Sequence, residues 1–62
     1  MTVRRWPAWR IVKQLKARRI RQQDIAARAG CSSTTVNHAI ARKSTTGEYD
    51  AKIWEILEEI LN

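Results

Sequence analysis

Apolar residues recur along this chain at the three- and four-residue spacing of amphipathic helices, in four separate stretches. Ala8, Ile11, Val12 and Leu15 share one face and predict a first helix over 7–19. It begins at Pro7, because proline is favoured at the first helical position. Arg10, Lys13, Gln14 and Arg18 face away from that stripe, and Trp9 falls on its flank with Lys13 and Lys16. Ile25, Ala26 and Ala29 predict a second helix over 22–29, with Asp24 in the first turn to suit the macrodipole and Gly30 to end it. Val36, Ala39 and Ile40 predict a third over 33–42, capped by the Ser32 hydroxyl. Tyr49, Ile53, Ile56, Leu57 and Ile60 predict a fourth over 46–61, with Thr45 and Glu48 as a capping box. Trp54 and Leu61 widen its apolar sector to about 160°, more than a surface helix requires. Lys52, Glu55, Glu58 and Glu59 make its outer face. Residues 1–6 read as a short flexible arm. The expected fold is all-α: one domain over 1–62, a compact bundle of four to five short helices.

The spacing within 22–41 is more particular. Ala26 is small enough to let a second helix approach. Gly30 supplies a turn with positive φ, which glycine alone adopts cheaply. Val36 plugs the following helix into the preceding one. Together they predict a helix-turn-helix, an arrangement that often seats its second helix in the major groove of DNA. The outer side of that second helix would present Ser33, Thr34, Asn37, His38 and Ala41, polar and uncharged until Arg42. An ordinary solvated face would carry more Glu and Lys.

Charge sharpens the expectation. The chain is +6 overall, but residues 1–43 hold eleven Lys and Arg against one acid, Asp24, while residues 44–62 hold one Lys against five acids. The half containing the helix-turn-helix is the cationic half, as a surface facing phosphates requires. Arg4 and Arg5 could extend that reach into a minor groove. Arg21, Gln23, Ser32, Thr35, Arg42 and Lys43 are candidates for phosphate contact. For the bases, Asn37 can bond adenine at two points, Ser33 and Thr34 can serve several bases, and His38 can donate to an acceptor such as guanine N7.

The run Ile20-Arg21-Gln22-Gln23-Asp24-Ile25-Ala26, followed by Gly30, Val36 and Ala39, resembles the helix-turn-helix of the lambda repressor and Cro-like family of DNA-binding proteins. Leu15 and Ile20 fall where that family carries core residues of its first helix. The resemblance fades after Lys43. It implies that Ser33, Thr34 and His38 occupy the positions that meet bases, and that Gln22 grips a backbone phosphate. It also touches the lac-repressor type of headpiece, which lacks the full helix that this chain has ahead of the motif.

The expected activity is sequence-specific binding of double-stranded DNA by a small transcriptional regulator, in the manner of minimal Cro- or Ner-like phage repressors. An autoregulating antitoxin, or a regulator of transposition or recombination, would use the same surface. A basic protein-interaction module is a different class, but interaction faces favour aromatic and large apolar anchors, and the outer side of the third helix has none. An enzyme is not expected: the basic half holds no carboxylate pair and no glycine-rich phosphate loop. No cofactor or small-molecule effector is expected. Cys31 and His38 are the only soft ligands, too few for zinc, and Cys31 reads as a small buried hydrophobe. No apolar run approaches the ~20 residues of a membrane span. With a single cysteine and no apolar leader, the expected setting is the cytoplasm or nucleoid of a prokaryotic cell. A chain of this size buries only ~60% of its extended surface, so a homodimer is expected at least on DNA, through Trp9, Trp54, Leu57 and Leu61 on palindromic half-sites.

Overall fold

Each helix starts and stops for a local reason. Pro7, extended at φ −64 and ψ 151, is the cap before α1 (Ala8–Ala17), one position earlier than its expected place inside the helix. The Asp24 carboxylate accepts the Arg21 N–H at 3.0 Å and so anchors the start of α2 (Gln22–Ala29). Ser32 Oγ accepts the Thr35 N–H at 3.2 Å and caps α3 (Ser33–Arg42) as expected. Three helices then end alike. Arg19, Gly30 and Lys43 adopt left-handed φ values of 57, 78 and 54. After each, the next N–H turns back five residues: Ile20 to the Leu15 carbonyl, Cys31 to Ala26 and Ser44 to Ala39. These are Schellman-type stops that satisfy carbonyls with no helical partner.

The computed structural model describes residues 3–61, and its fourth helix is α4 (Asp50–Leu61). No strand occurs among the described residues, so the all-α bundle is as expected. α2 and α3 pair most extensively, and α4 packs across both. Val36, Ala39 and Ile40 of α3 meet Ile25 and Ala26 of α2 and Ile11 and Leu15 of α1 in one core. Cys31 is only half-buried against it. No described helix is long and apolar enough to cross a membrane.

The two ends of the chain depart from expectation. Residues 3–6 are not a free arm: Val3–Arg5 form a 3₁₀ turn, Val3 is fully buried, and the turn packs on α4. Met1 and Thr2 lie outside the described residues. α4 begins at Asp50, not residue 46, and the Thr45–Glu48 capping box is replaced by Asp50. Its Oδ2 accepts the Gly47 N–H at 3.0 Å and the Ser44 hydroxyl. The carboxylate comes so near residue 47 that a Cβ there would lie 2.7 Å from Oδ2, so only glycine fits without rearrangement.

The wide apolar face of α4 is consumed by the monomer. Trp54 is fully buried, Leu57 likewise, and Leu61 nearly so. The expectation that these three form a dimer interface is therefore corrected. A tryptophan buries 150–250 Å² of largely apolar surface, and in so small a core it fills the centre rather than the edge. Tyr49, expected on the same stripe, precedes the helix and is 38% exposed.

Candidate nucleic-acid interface

α3 is mounted by one face and free on the other. Val36, Ala39 and Ile40 are buried to 1% exposure or less, which fixes the helix's rotation about its own axis. Ser33, Thr34, Asn37, His38 and Ala41 are consequently all exposed. None of the four polar side chains bonds elsewhere in the chain among the described residues. Their hydrogen-bonding groups are turned to water while the helix beneath them is held rigid. A ligand would find donors, acceptors and the methyl groups of Thr34 and Ala41 at defined positions.

The starts of α2 and α3 add backbone donors. The first N–H groups of a helix have no intrahelical partner. At α2 the Asp24 and Ile25 N–H groups already bond the Arg21 carbonyl, leaving those of Gln22 and Gln23 free. At α3 Thr35 donates to Ser32 Oγ and Val36 to the Ser32 carbonyl, leaving those of Ser33 and Thr34 free. Helix starts of this kind accommodate phosphate oxygens. Arg21 and Gln23 are exposed beside the first, and Arg42 is exposed at the far end of α3. Gln22 is half-buried, at the rim of a shallow cavity of about 210 Å³ floored by Val12, Leu15 and Ile20. Lys16 and Arg21 share that rim.

Three expected phosphate ligands are otherwise engaged. Ser32 Oγ is the α3 cap and also lies 3.0 Å from the hydroxyl of half-buried Thr35, so these two groups chiefly satisfy each other. Lys43 requires a firmer correction. Its Nζ donates to the Arg4 carbonyl at 2.7 Å and to the Trp6 carbonyl, with the ring of Trp54 5.5 Å away. The ammonium satisfies carbonyls that the short 3₁₀ turn leaves without partners. Burial lowers its pKa from the ordinary 10.5. Lys43 is a structural clasp, and no pattern along the chain distinguishes it from its cationic neighbours. Arg4 and Arg5 keep exposed side chains on the packed turn, with the Arg4 N–H bonded to Glu58 at 3.3 Å.

Trp9, the remaining member of the expected dimer surface, is 67% exposed. Comparison with protein-family models, with curated proteins and with solved structures found no match. The functional reading therefore stands on the residues and their geometry.

Proposed function

We propose that this chain is a sequence-specific double-stranded DNA-binding regulator without catalytic activity, and that α3 enters the major groove. The observation that carries this reading is the free face of α3, whose polar side chains have no partner among the described residues although the helix that bears them is packed by its other face. Ser33, Thr34, Asn37 and His38 read base edges, and the Ala41 methyl suits a thymine methyl. Arg21, Gln22, Gln23 and Arg42, with the free N–H groups at the two helix starts, take phosphates. Such contacts set register and supply affinity without choosing sequence. The resemblance of residues 20–39 to the lambda repressor and Cro-like motif supports the same docking.

Repression follows from occupancy, since a bound domain excludes polymerase from overlapping DNA. One domain spans only a few base pairs, so adjacent copies about one turn apart, ~34–36 Å, would lengthen the site that is read. The decisive experiment is selection of bound sequences from a pool of random duplexes. Enrichment of a consensus supports the reading. Failure to bind any duplex at low ionic strength, where phosphate contacts are strongest, overturns it.

A further inference from the structure

Among the described residues only two large hydrophobic side chains are exposed, Trp9 on α1 and Tyr49 just before α4. Each stands near a stripe in which one charge sign predominates. On α1, Trp9, Lys13 and Lys16 follow one another at four and three residues and are all exposed, so they form a single cationic stripe headed by an indole. On α4, Lys52, Glu55 and Glu59 form an exposed stripe with the exposed methyl of Ala51 at its edge, and exposed Glu48 just ahead of the helix makes this surface mainly acidic. Glu59 meets Arg28 of its own chain at 3.3 Å, whereas Glu48 and Glu55 have no cationic partner among the described residues.

We propose that these two surfaces dock on each other between copies of this chain: Trp9, Lys13 and Lys16 of one molecule against Tyr49, Ala51 and Glu55 of the next. Charge decides the pairing. Two α1 stripes brought face to face would oppose lysines to lysines, and two α4 stripes, in which Lys52 is the one cation beside Glu48, Glu55 and Glu59, would oppose surfaces of net negative charge. Only α1 against α4 gives opposite signs and lets both exposed aromatics leave water together. The contact is therefore head-to-tail, and each molecule keeps one free surface of each kind. A contact of that type does not close at two subunits and adds copies in series. It is small and rich in charge, which makes it weak and salt-sensitive. The inference rests on the chain's own surface and holds whether or not α3 binds DNA.

The test needs no DNA. Amide and indole spectra of the isotopically labelled protein are recorded from tens of micromolar to about a millimolar at low salt. The Trp9 indole and the Ala51 and Glu55 amides should shift with concentration and cease to do so at high salt. The buried Trp54 indole should stay fixed and serves as the folding control. Lys13→Glu and Glu55→Lys should each abolish the shifts alone. An equimolar mixture of the two variants should restore them, since the unaltered α1 face of Glu55→Lys then meets the unaltered α4 face of Lys13→Glu, and the two reversed faces also complement each other. Trp9→Ala should weaken the self-association by about tenfold. Spectra unchanged across the whole range would overturn the proposal. So would an association that Lys13→Glu strengthens, because that is the signature of two α1 faces meeting, or shifts confined to the outer side of α3.

Discussion

The outer face of α3 and the clasp built from residues 43–50 are both rich in polar side chains, and they use them in opposite ways. In the clasp the side chains of Lys43, Ser44 and Asp50 are all spent inside the molecule. Ser44 donates its hydroxyl to Asp50, its carbonyl accepts the Trp54 indole N–H at 2.7 Å, and Lys43 holds two carbonyls of the N-terminal segment. On α3, Ser33, Thr34, Asn37 and His38 bond to nothing in the chain among the described residues. Residue type does not separate the two regions; hydrogen-bond accounting does. A polar group that is half-buried and paired stabilises the fold, and replacing it leaves an orphaned partner. A polar group left in water on a rigid helix contributes little to stability and is available to a ligand.

That contrast can be broken most severely at Trp54. Trp54→Ala removes the largest buried side chain and orphans the Ser44 carbonyl. The expected loss is about 3–5 kcal/mol, most of the stability of so small a domain. Urea denaturation should find the variant largely unfolded in buffer. Asp50→Ala should cost about 1–3 kcal/mol, because it strands the Gly47 N–H and the Ser44 hydroxyl. If either variant melted like the parent, the clasp would not be what closes the bundle.

On the other side of the comparison, Asn37→Ala and His38→Ala should leave urea stability within about 0.5 kcal/mol of the parent. Competition between the selected duplex and random DNA should nevertheless lose roughly 1–3 kcal/mol of discrimination wherever a base contact is removed. Loss of folding in place of discrimination would place this face with the clasp.

Arg42 and Lys43 are adjacent cations that fall on opposite sides of the divide. Arg42→Ala should weaken binding to all duplexes alike and lower the salt slope by about one unit, with no change in stability. Lys43→Met should leave the slope unchanged and lower stability. Its effect should also depend on pH. Burial lowers the Lys43 pKa in the folded state, so the unfolded chain holds that proton more tightly. Stability from this group therefore rises as pH climbs through the folded pKa toward the ordinary 10.5, and the gap between parent and Lys43→Met should widen there. Denaturation near neutral pH and again near the ordinary value reads this out.

Helix positions and the free face of α3 were legible because they follow from periodicity. Val36, Ala39 and Ile40 on one side of a helix oblige Asn37 and His38 to be on the other. The fate of Lys43 and Trp54 was not legible, because it depends on which distant segment comes to rest on them. A wide apolar sector on α4 is what a dimer surface looks like along the chain, and equally what a monomer core looks like. Val3 settles the matter by filling space over α4, and a single valine near a terminus gives no periodic signal. The start of α4 was misplaced for a related reason. Thr45 and Glu48 have the spacing of a capping box, but Asp50 reaches back to Gly47 and captures the turn first.

The finest form of the comparison concerns the three helix stops, which share one backbone geometry but not one residue type. Gly30 was readable as a stop, whereas Arg19 and Lys43 were not, since an L-residue in the left-handed region costs roughly 1–2 kcal/mol. A Cβ added at Gly30 would meet nothing within 4 Å, so Gly30→Ala tests backbone conformation without steric conflict. The change should destabilise by about 1 kcal/mol, the left-handed penalty less the entropy that alanine removes from the unfolded chain. Arg19→Gly runs the exchange in reverse. Arg19 is exposed and its side chain bonds to nothing among the described residues, so relief of the left-handed strain should exceed the added unfolded-state freedom. A gain of a few tenths of a kcal/mol is expected, opposite in sign to Gly30→Ala. A loss at Arg19 would mean that its guanidinium makes a contact worth more than that strain, and would move this residue from the available cations to the structural ones.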